Sequence, residues 1–216
     1  MLETAAVRGR SLFSLRLRGR EVVLGARTWV MGVLNVTPDS FSDGGLFASV
    51  DAAVAQGLAL FEGGADIVDV GGESTRPGGA TQVDAAEESR RVVPVIRGLR
   101  ERGASFLSVD TTKAEVARAA VDAGADIVND VSGFRFDPGM ARLVATRDVP
   151  VVLMHLRGDF GAMHREPRYR DVMGEVAEEL KQALERAAAA GVRREQVILD
   201  PGIGRASYRE RVFRTV

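Results

Sequence analysis

Six short apolar runs in this 216-residue chain are each followed closely by a polar side chain: Asn35, Glu73, Asp110, Asn129, His155 and Asp200. Asp110, Asn129 and Asp200 each come after two or more apolar residues, at the edge of what must be a buried core. An unpaired carboxylate is costly there, so these groups need partners. A planar heterocycle presenting several N–H groups, of pterin or guanine type, satisfies two acids and an amide together. The competing reading makes them helix caps, with Asp110 ahead of Thr111-Thr112-Lys113 as an N-cap. Asp200, before Pro201-Gly202, is harder to explain as a cap.

Two loops add groups suited to phosphate. Asn35 opens Thr37-Pro38-Asp39-Ser40-Phe41-Ser42-Asp43-Gly44-Gly45, which reads either as an ordered turn before a helix or as an oxygen ligand for Mg²⁺ beside a lid over phosphate. Ser74-Thr75-Arg76-Pro77-Gly78-Gly79 sets an arginine next to a rigid proline. Its planar fork suits bidentate contact with phosphate or carboxylate, although most loop arginines are simply solvated. The two histidines, His155 and His164, stand nine residues apart without an H-E-x-x-H spacing or any cysteine, which disfavours zinc. The chain also has no G-x-S-x-G elbow, the most recognisable acyl-transfer arrangement.

The elements that carry these residues alternate. Trp29–Leu34, Ile67–Val70, Phe106–Val109, Ile127–Val128, Val151–Met154 and Val197–Leu199 are short and rich in β-branched residues, as strands buried on both faces of a parallel sheet are. Helical stretches lie between them, such as Tyr169 to Ala190, with Val172, Val176, Leu180 and Leu184 four apart. Most end at a glycine just before the next strand, namely Gly63-Gly64, Gly103, Gly124 and Gly191. Pro94 should kink or split the second helix. Residues 11 to 28 read as a preceding β-hairpin around Arg18-Gly19-Arg20. Gly64-Ala65-Asp66-Ile67-Val68-Asp69-Val70 is echoed sixty residues later by Gly124-Ala125-Asp126-Ile127-Val128-Asn129-Asp130, a spacing of two βα units of ~30 residues each.

Long loops follow strands and short ones follow helices, which gathers the polar ends on one face. An open doubly wound sheet and a closed (β/α)8 barrel both have this rhythm. The barrel is favoured, because its strands all deliver their C-terminal ends to one mouth and no G-x-G-x-x-G follows the first strand. About six of eight βα units fit the chain, since eight need ~250 residues.

Composition agrees with a globular α/β protein. The chain is 45% hydrophobic and 27% charged, with 24 glycines, no cysteine and a net charge of -1. Disorder, a disulfide scaffold, and nucleic acid or an acidic membrane as main partner are all disfavoured. All its basic residues but Lys113 and Lys181 are arginine, which we read as genome composition. There is no signal-peptide core and no ~20-residue apolar span, so a cytoplasmic protein is expected.

Taken together the motifs resemble the dihydropteroate synthase family, the folate-pathway transferases inhibited by sulfonamides. The matching blocks are Met31 to Gly45, Asp69-Val70-Gly71-Gly72-Glu73-Ser74-Thr75-Arg76-Pro77-Gly78, Ser108-Val109-Asp110-Thr111, Ile127 to Gly133, and Leu199-Asp200-Pro201-Gly202-Ile203-Gly204. The first two are long and specific. The resemblance implies condensation of p-aminobenzoate with 6-hydroxymethyl-7,8-dihydropterin pyrophosphate, giving 7,8-dihydropteroate and pyrophosphate with the help of Mg²⁺. It implies Asn35 as the metal residue and Asp110, Asn129 and Asp200 as the pterin site. Thr75 and Arg76 lie beside aminobenzoate and pyrophosphate, with Asp110 and Arg76 as the catalytic residues. The family's homodimer is implied as well. Alternatives are a related pterin-binding methyltransferase domain, disfavoured by the Thr37–Gly45 loop and Ser74-Thr75-Arg76-Pro77, and a fragment that binds pterin without turnover or is inactive.

The resemblance runs from Ser11 to Gly204. The expected division is 1–28 as a segment with the hairpin, 29–204 as the incomplete barrel and 205–216 as a divergent tail, of the kind a truncated gene or shifted frame leaves. Strands seven and eight are expected to be missing, and with them the family's Ser-x-Lys and Arg-x-His segments. The first and sixth strands would then be open edges.

Overall fold

The computed structural model describes residues 11–37, 45–73 (with side chains from 50), 83–158 and 169–203. Two antiparallel strands come first, β1 (Phe13–Leu17) and β2 (Arg20–Leu24). Arg18 and Gly19 between them both have positive φ, at 50° and 71°, as the tightest hairpin turns require. This is the hairpin expected from the sequence.

Six parallel strands follow, in spatial order identical to chain order: β3 (Met31–Asn35), β4 (Ile67–Gly71), β5 (Phe106–Asp110), β6 (Ile127–Asp130), β7 (Val151–Met154) and β8 (Val197–Asp200). Each consecutive pair is joined across one helix, α1 (Gly45–Glu62), α2 (Ala85–Glu101), α3 (Ala114–Ala123), α4 (Pro138–Arg147) and α5 (Val172–Ala189). Sequential parallel strands linked by helices are the wall of a (β/α)8 barrel, of which six strands lie among the described residues.

The pleat sorts side chains into two faces. Leu34, Val70, Val109, Val128 and Val151 form one row across the sheet, and all are buried against the helices in the main core. The opposite face is layered. At its N-terminal end Ile67, Ile127 and Val152 pack with Leu15 and Leu17, backed by Trp29, Met31 and Phe106. The hairpin therefore plugs the bottom of the barrel. Above this plug the inner face turns polar, at Asp69 and Ser108 and then at the strand ends.

Pro94 does not split its helix, because α2 runs unbroken from Ala85 to Glu101. Proline in a helix interior costs about 3 kcal/mol. Val92, Val95, Ile96 and Leu99 are fully buried on the same helix, and at ~1.5–3 kcal/mol each their burial outweighs that loss.

The sixty-residue echo has a structural meaning. Asp66 and Asp126 each stand just ahead of a strand and accept a backbone N–H from the start of the preceding strand or the residue before it, Val30 N for Asp66 (2.9 Å) and Leu107 N for Asp126 (2.8 Å). Each is also held by an arginine, Arg27 for Asp66 and Arg100 for Asp126. The repeated Gly-Ala-Asp is thus a clamp between neighbouring strands, used twice.

Candidate active site

Asn35, Gly71, Asp110 and Asn129 are register partners in successive strands. In parallel strands, register partners point to the same face, so three polar side chains and one gap stand side by side at the barrel mouth. Asn35, Asp110 and Asn129 are half-buried, reachable yet bordered by core. Backbone bonds carry the ladder beyond the strand ends and fix the row: Val36 N donates to Gly71 O at 2.7 Å and Thr111 N to Asn129 O at 3.1 Å. Asp200 is also half-buried. It pairs with Met154, whereas Asn129 pairs with Val152, so Asp200 rises two residues above the row. The site thus climbs toward β8, as the stagger of a barrel requires.

A β-carbon added to Gly71 would lie 3.6 Å from Asn35 Oδ1 and 3.7 Å from Asp110 Oδ2. The missing side chain leaves an oxygen-lined gap between them. An amide and a carboxylate oxygen are hard donors of the kind magnesium accepts. Clusters of three or more His, Asp or Glu suited to a metal are absent among the described residues.

Asp110 is not a helix cap. α3 begins at Ala114, whose N–H donates to Asp137 Oδ2 at 2.7 Å. Asp200 Oδ1 accepts Gly202 N at 2.7 Å, shaping the turn that follows. The neighbour of Asn129, Asp130, faces the other way, fully buried, with its oxygens taking Ser132 N and Phe134 N. Burial pushes the Asp130 carboxyl above the ordinary range.

Two residues from the sequence's polar strand ends do other work. Glu73, just past β4, accepts from Lys113 Nζ at 2.6 Å, and the same ammonium donates to Glu88 Oε2 at 2.6 Å. Glu88 lies on α2 with its side chain 1% exposed. Burial opposes the Lys113 charge, but the hydrogen bonds to Glu73 and Glu88 win and raise its pKa above the usual lysine value. The triad braces the β4 end, α2 and the turn after Asp110 against one another. Sequence reasoning missed Glu88 and Lys113, since a helical Glu among charged neighbours reads as solvent-facing. Arg91 adds a second tether, donating to Gly72 O at 2.9 Å. His155 faces α5, with Nε2 3.0 Å from Glu179 Oε2. Thr75, Arg76 and His164 lie outside the described residues.

Residues 31–214 match the family described as pterin binding enzyme, and the chain belongs to that family. The relatives it resembles include dihydropteroate synthases. That of Synechocystis sp. is 48% identical over 86% of this chain and 64% of its own length, and that of Mycobacterium leprae is 52% identical over 81% and 61%. The chain spans between 61% and 68% of the length of the first dihydropteroate synthases it matches and a smaller share of the bifunctional relatives. Among solved structures, Xanthomonas albilineans dihydropteroate synthase with 4-aminobenzoic acid superposes with a TM-score of 0.80, at 51% identity over 90% of this chain and 68% of that one. The Yersinia pestis enzyme in complex with a sulfonamide drug also gives 0.80, at 42% identity over 89% and 69%. Among the described residues no helix is long and apolar enough to cross a membrane.

Proposed function

We propose that the barrel mouth holds 6-hydroxymethyl-7,8-dihydropterin pyrophosphate and joins its pterin to p-aminobenzoate. The observation that carries this reading is the row of Asn35, Asp110 and Asn129 at strand ends, with Asp200 one step higher. Asp110, Asn129 and Asp200 supply acceptors for the N–H edge of a pterin ring.

The reaction breaks the bond between the pterin methylene carbon and the diphosphate oxygen. The bonding pair leaves with pyrophosphate and the ring system carries a delocalised positive charge. The aminobenzoate nitrogen then bonds to that carbon and loses a proton. No serine or histidine nucleophile is needed, and what the protein contributes is orientation and a fixed field. Asp110 holds the ring and lies close to the developing cation. Asn35 is the residue that would hold magnesium, with the Asp110 carboxylate across the Gly71 gap. When bound, the metal supplies neutralisation of diphosphate charge. Thr75 and Arg76 are assigned to the aminobenzoate and diphosphate, the Arg76 guanidinium by its bidentate geometry.

The chain spans less than two thirds of its Synechocystis relative, so binding and turnover are separate outcomes. The test is release of pyrophosphate when the purified chain meets both substrates with Mg²⁺, alongside calorimetric titration with the dihydropterin pyrophosphate alone. Binding with turnover supports the transferase. Binding without turnover leaves a pterin-binding domain, and absence of binding removes the reading.

A further inference from the structure

Asp69 takes no part in the assignments above, yet it lies directly beneath them. It pairs in register with Ser108, one inward-facing layer below the pair Gly71 and Asp110, and is 4% exposed. Its Oδ2 accepts a hydrogen bond from Asn129 Nδ2 at 2.8 Å. Asp69 and Asn129 are also the matching positions of the sixty-residue repeat, so the two echoes meet through these side chains.

This contact determines which way the Asn129 amide points. The end of Asn129 that meets Asp69 is the NH₂, which donates to the carboxyl oxygen. The planar amide then carries its Oδ1 on the side away from Asp69. An asparagine free to turn presents donor or acceptor to a ligand with equal ease, and Asp69 removes that freedom.

We propose that Asp69 is a positioning residue that sets ring specificity: it locks the Asn129 amide with its oxygen toward the ligand, so that Asp110, Asn129 and Asp200 form a face of acceptors only. Such a face takes a heterocycle edge made of N–H donors and rejects one that carries a carbonyl there. The inference rests on the pterin reading of the site. Sites built around buried hydrogen-bond partners discriminate strongly against analogues that leave those partners unmatched.

The test compares pterin with lumazine, which bears an oxo group where pterin bears its 2-amino group and an N1–H where pterin has a lone pair, by titration of the wild-type chain and of Asp69→Asn. In the variant, Asn at position 69 can give its own NH₂ to Asn129 Oδ1, and the Asn129 amide can turn. Wild type is expected to prefer pterin by ~10²-fold or more, and Asp69→Asn to lose ~10-fold or more of that preference. A variant that binds both ligands more weakly with an unchanged ratio overturns the inference while leaving the pterin reading standing. Wild type that binds no pterin overturns both. A second measurement does not depend on the variant folding. In a ¹H–¹⁵N spectrum of the wild-type chain, the Asn129 side-chain NH₂ should keep its carboxylate-bonded shift and slow exchange when pterin saturates the site. A large shift with loss of protection means the NH₂ has moved onto the ligand, and sinks the proposal.

Discussion

Asp110 and Asp130 both stand at strand ends, and the pleat gives them opposite work. Asp130 is spent on the turn beneath it, accepting Ser132 N and Phe134 N, while Asp110 stands in the mouth row opposite Gly71. Asp110→Asn or Asp200→Asn should therefore weaken pterin binding by roughly 1–3 kcal/mol each, since each removes a charged acceptor from buried donors. Titration with the dihydropterin pyrophosphate checks this, and unchanged affinity in both variants refutes the placement of the site. The brace makes a different prediction. Lys113→Met leaves Glu73 and the buried Glu88 facing each other without their shared cation, and breaking a buried ion pair from one side costs about 3–5 kcal/mol. Denaturant unfolding should show that loss, with Lys113→Arg losing less. A midpoint for Lys113→Met equal to wild type would mean that the triad contributes nothing. The mouth residues were legible because an acid or amide ending an apolar run is anomalous within a few residues of sequence. The brace and Asp69 were not, since their partners lie 25, 40 and 60 residues away and only the closing of the sheet brings them together.

Helices and strands were legible to the extent that their pattern is local. The β-branched runs became strands, and the glycines Gly64, Gly103, Gly124 and Gly191 that follow the helices all adopt positive φ, which is why glycine stands there. Pro94 misled because a helix-breaking preference is local whereas the burial that overrides it is tertiary. The start of α5 shows the reverse, a local device strong enough to respond to pH. Asp171 accepts Gly174 N at 3.1 Å, and Glu175 Oε1 accepts Asp171 N at 3.0 Å and Arg170 N at 2.7 Å. The Asp171 backbone bond, followed by Arg157, holds the Glu175 carboxyl at about 2, below its ordinary 4.5. A carboxylate depressed in the folded state stabilises fully above its unfolded pKa, and that contribution is lost as pH falls through the folded one. The first turn of α5 should therefore loosen between pH about 4.5 and 2. Amide exchange at Arg170 and Asp171 reports it, and Glu175→Gln should abolish the acid-dependent step. Protection that stays flat down to pH 2 in wild type would contradict the cap.

The six-stranded sheet leaves β3 and β8 each paired on one side only among the described residues. The consequence is visible in exposure. Val33 shares its row with Asp69 and Ser108, which are 4% and 0% exposed, yet Val33 is 56% exposed, and Leu199 on β8 is 39% exposed. An edge strand presents unpaired N–H and C=O groups as a template for another chain, and apolar side chains along it strengthen that pairing. The architecture was readable from the alternation of strand and helix. The way the edges are managed was not, because edge pairing is a property of neighbours rather than of pattern. The purified 216-residue chain should accordingly self-associate as its concentration rises through the μM–mM range. Leu199→Lys should reduce that association, since a charge on an edge strand blocks edge-to-edge pairing. Sedimentation velocity at several concentrations distinguishes the cases. A shift toward larger species in wild type that the lysine suppresses identifies β8 as the associating edge, whereas association unaffected by Leu199→Lys moves the contact to β3 and Val33. A chain that remains monomeric throughout has both edges protected, and would refute the view that the exposure of Val33 and Leu199 marks open pairing surfaces.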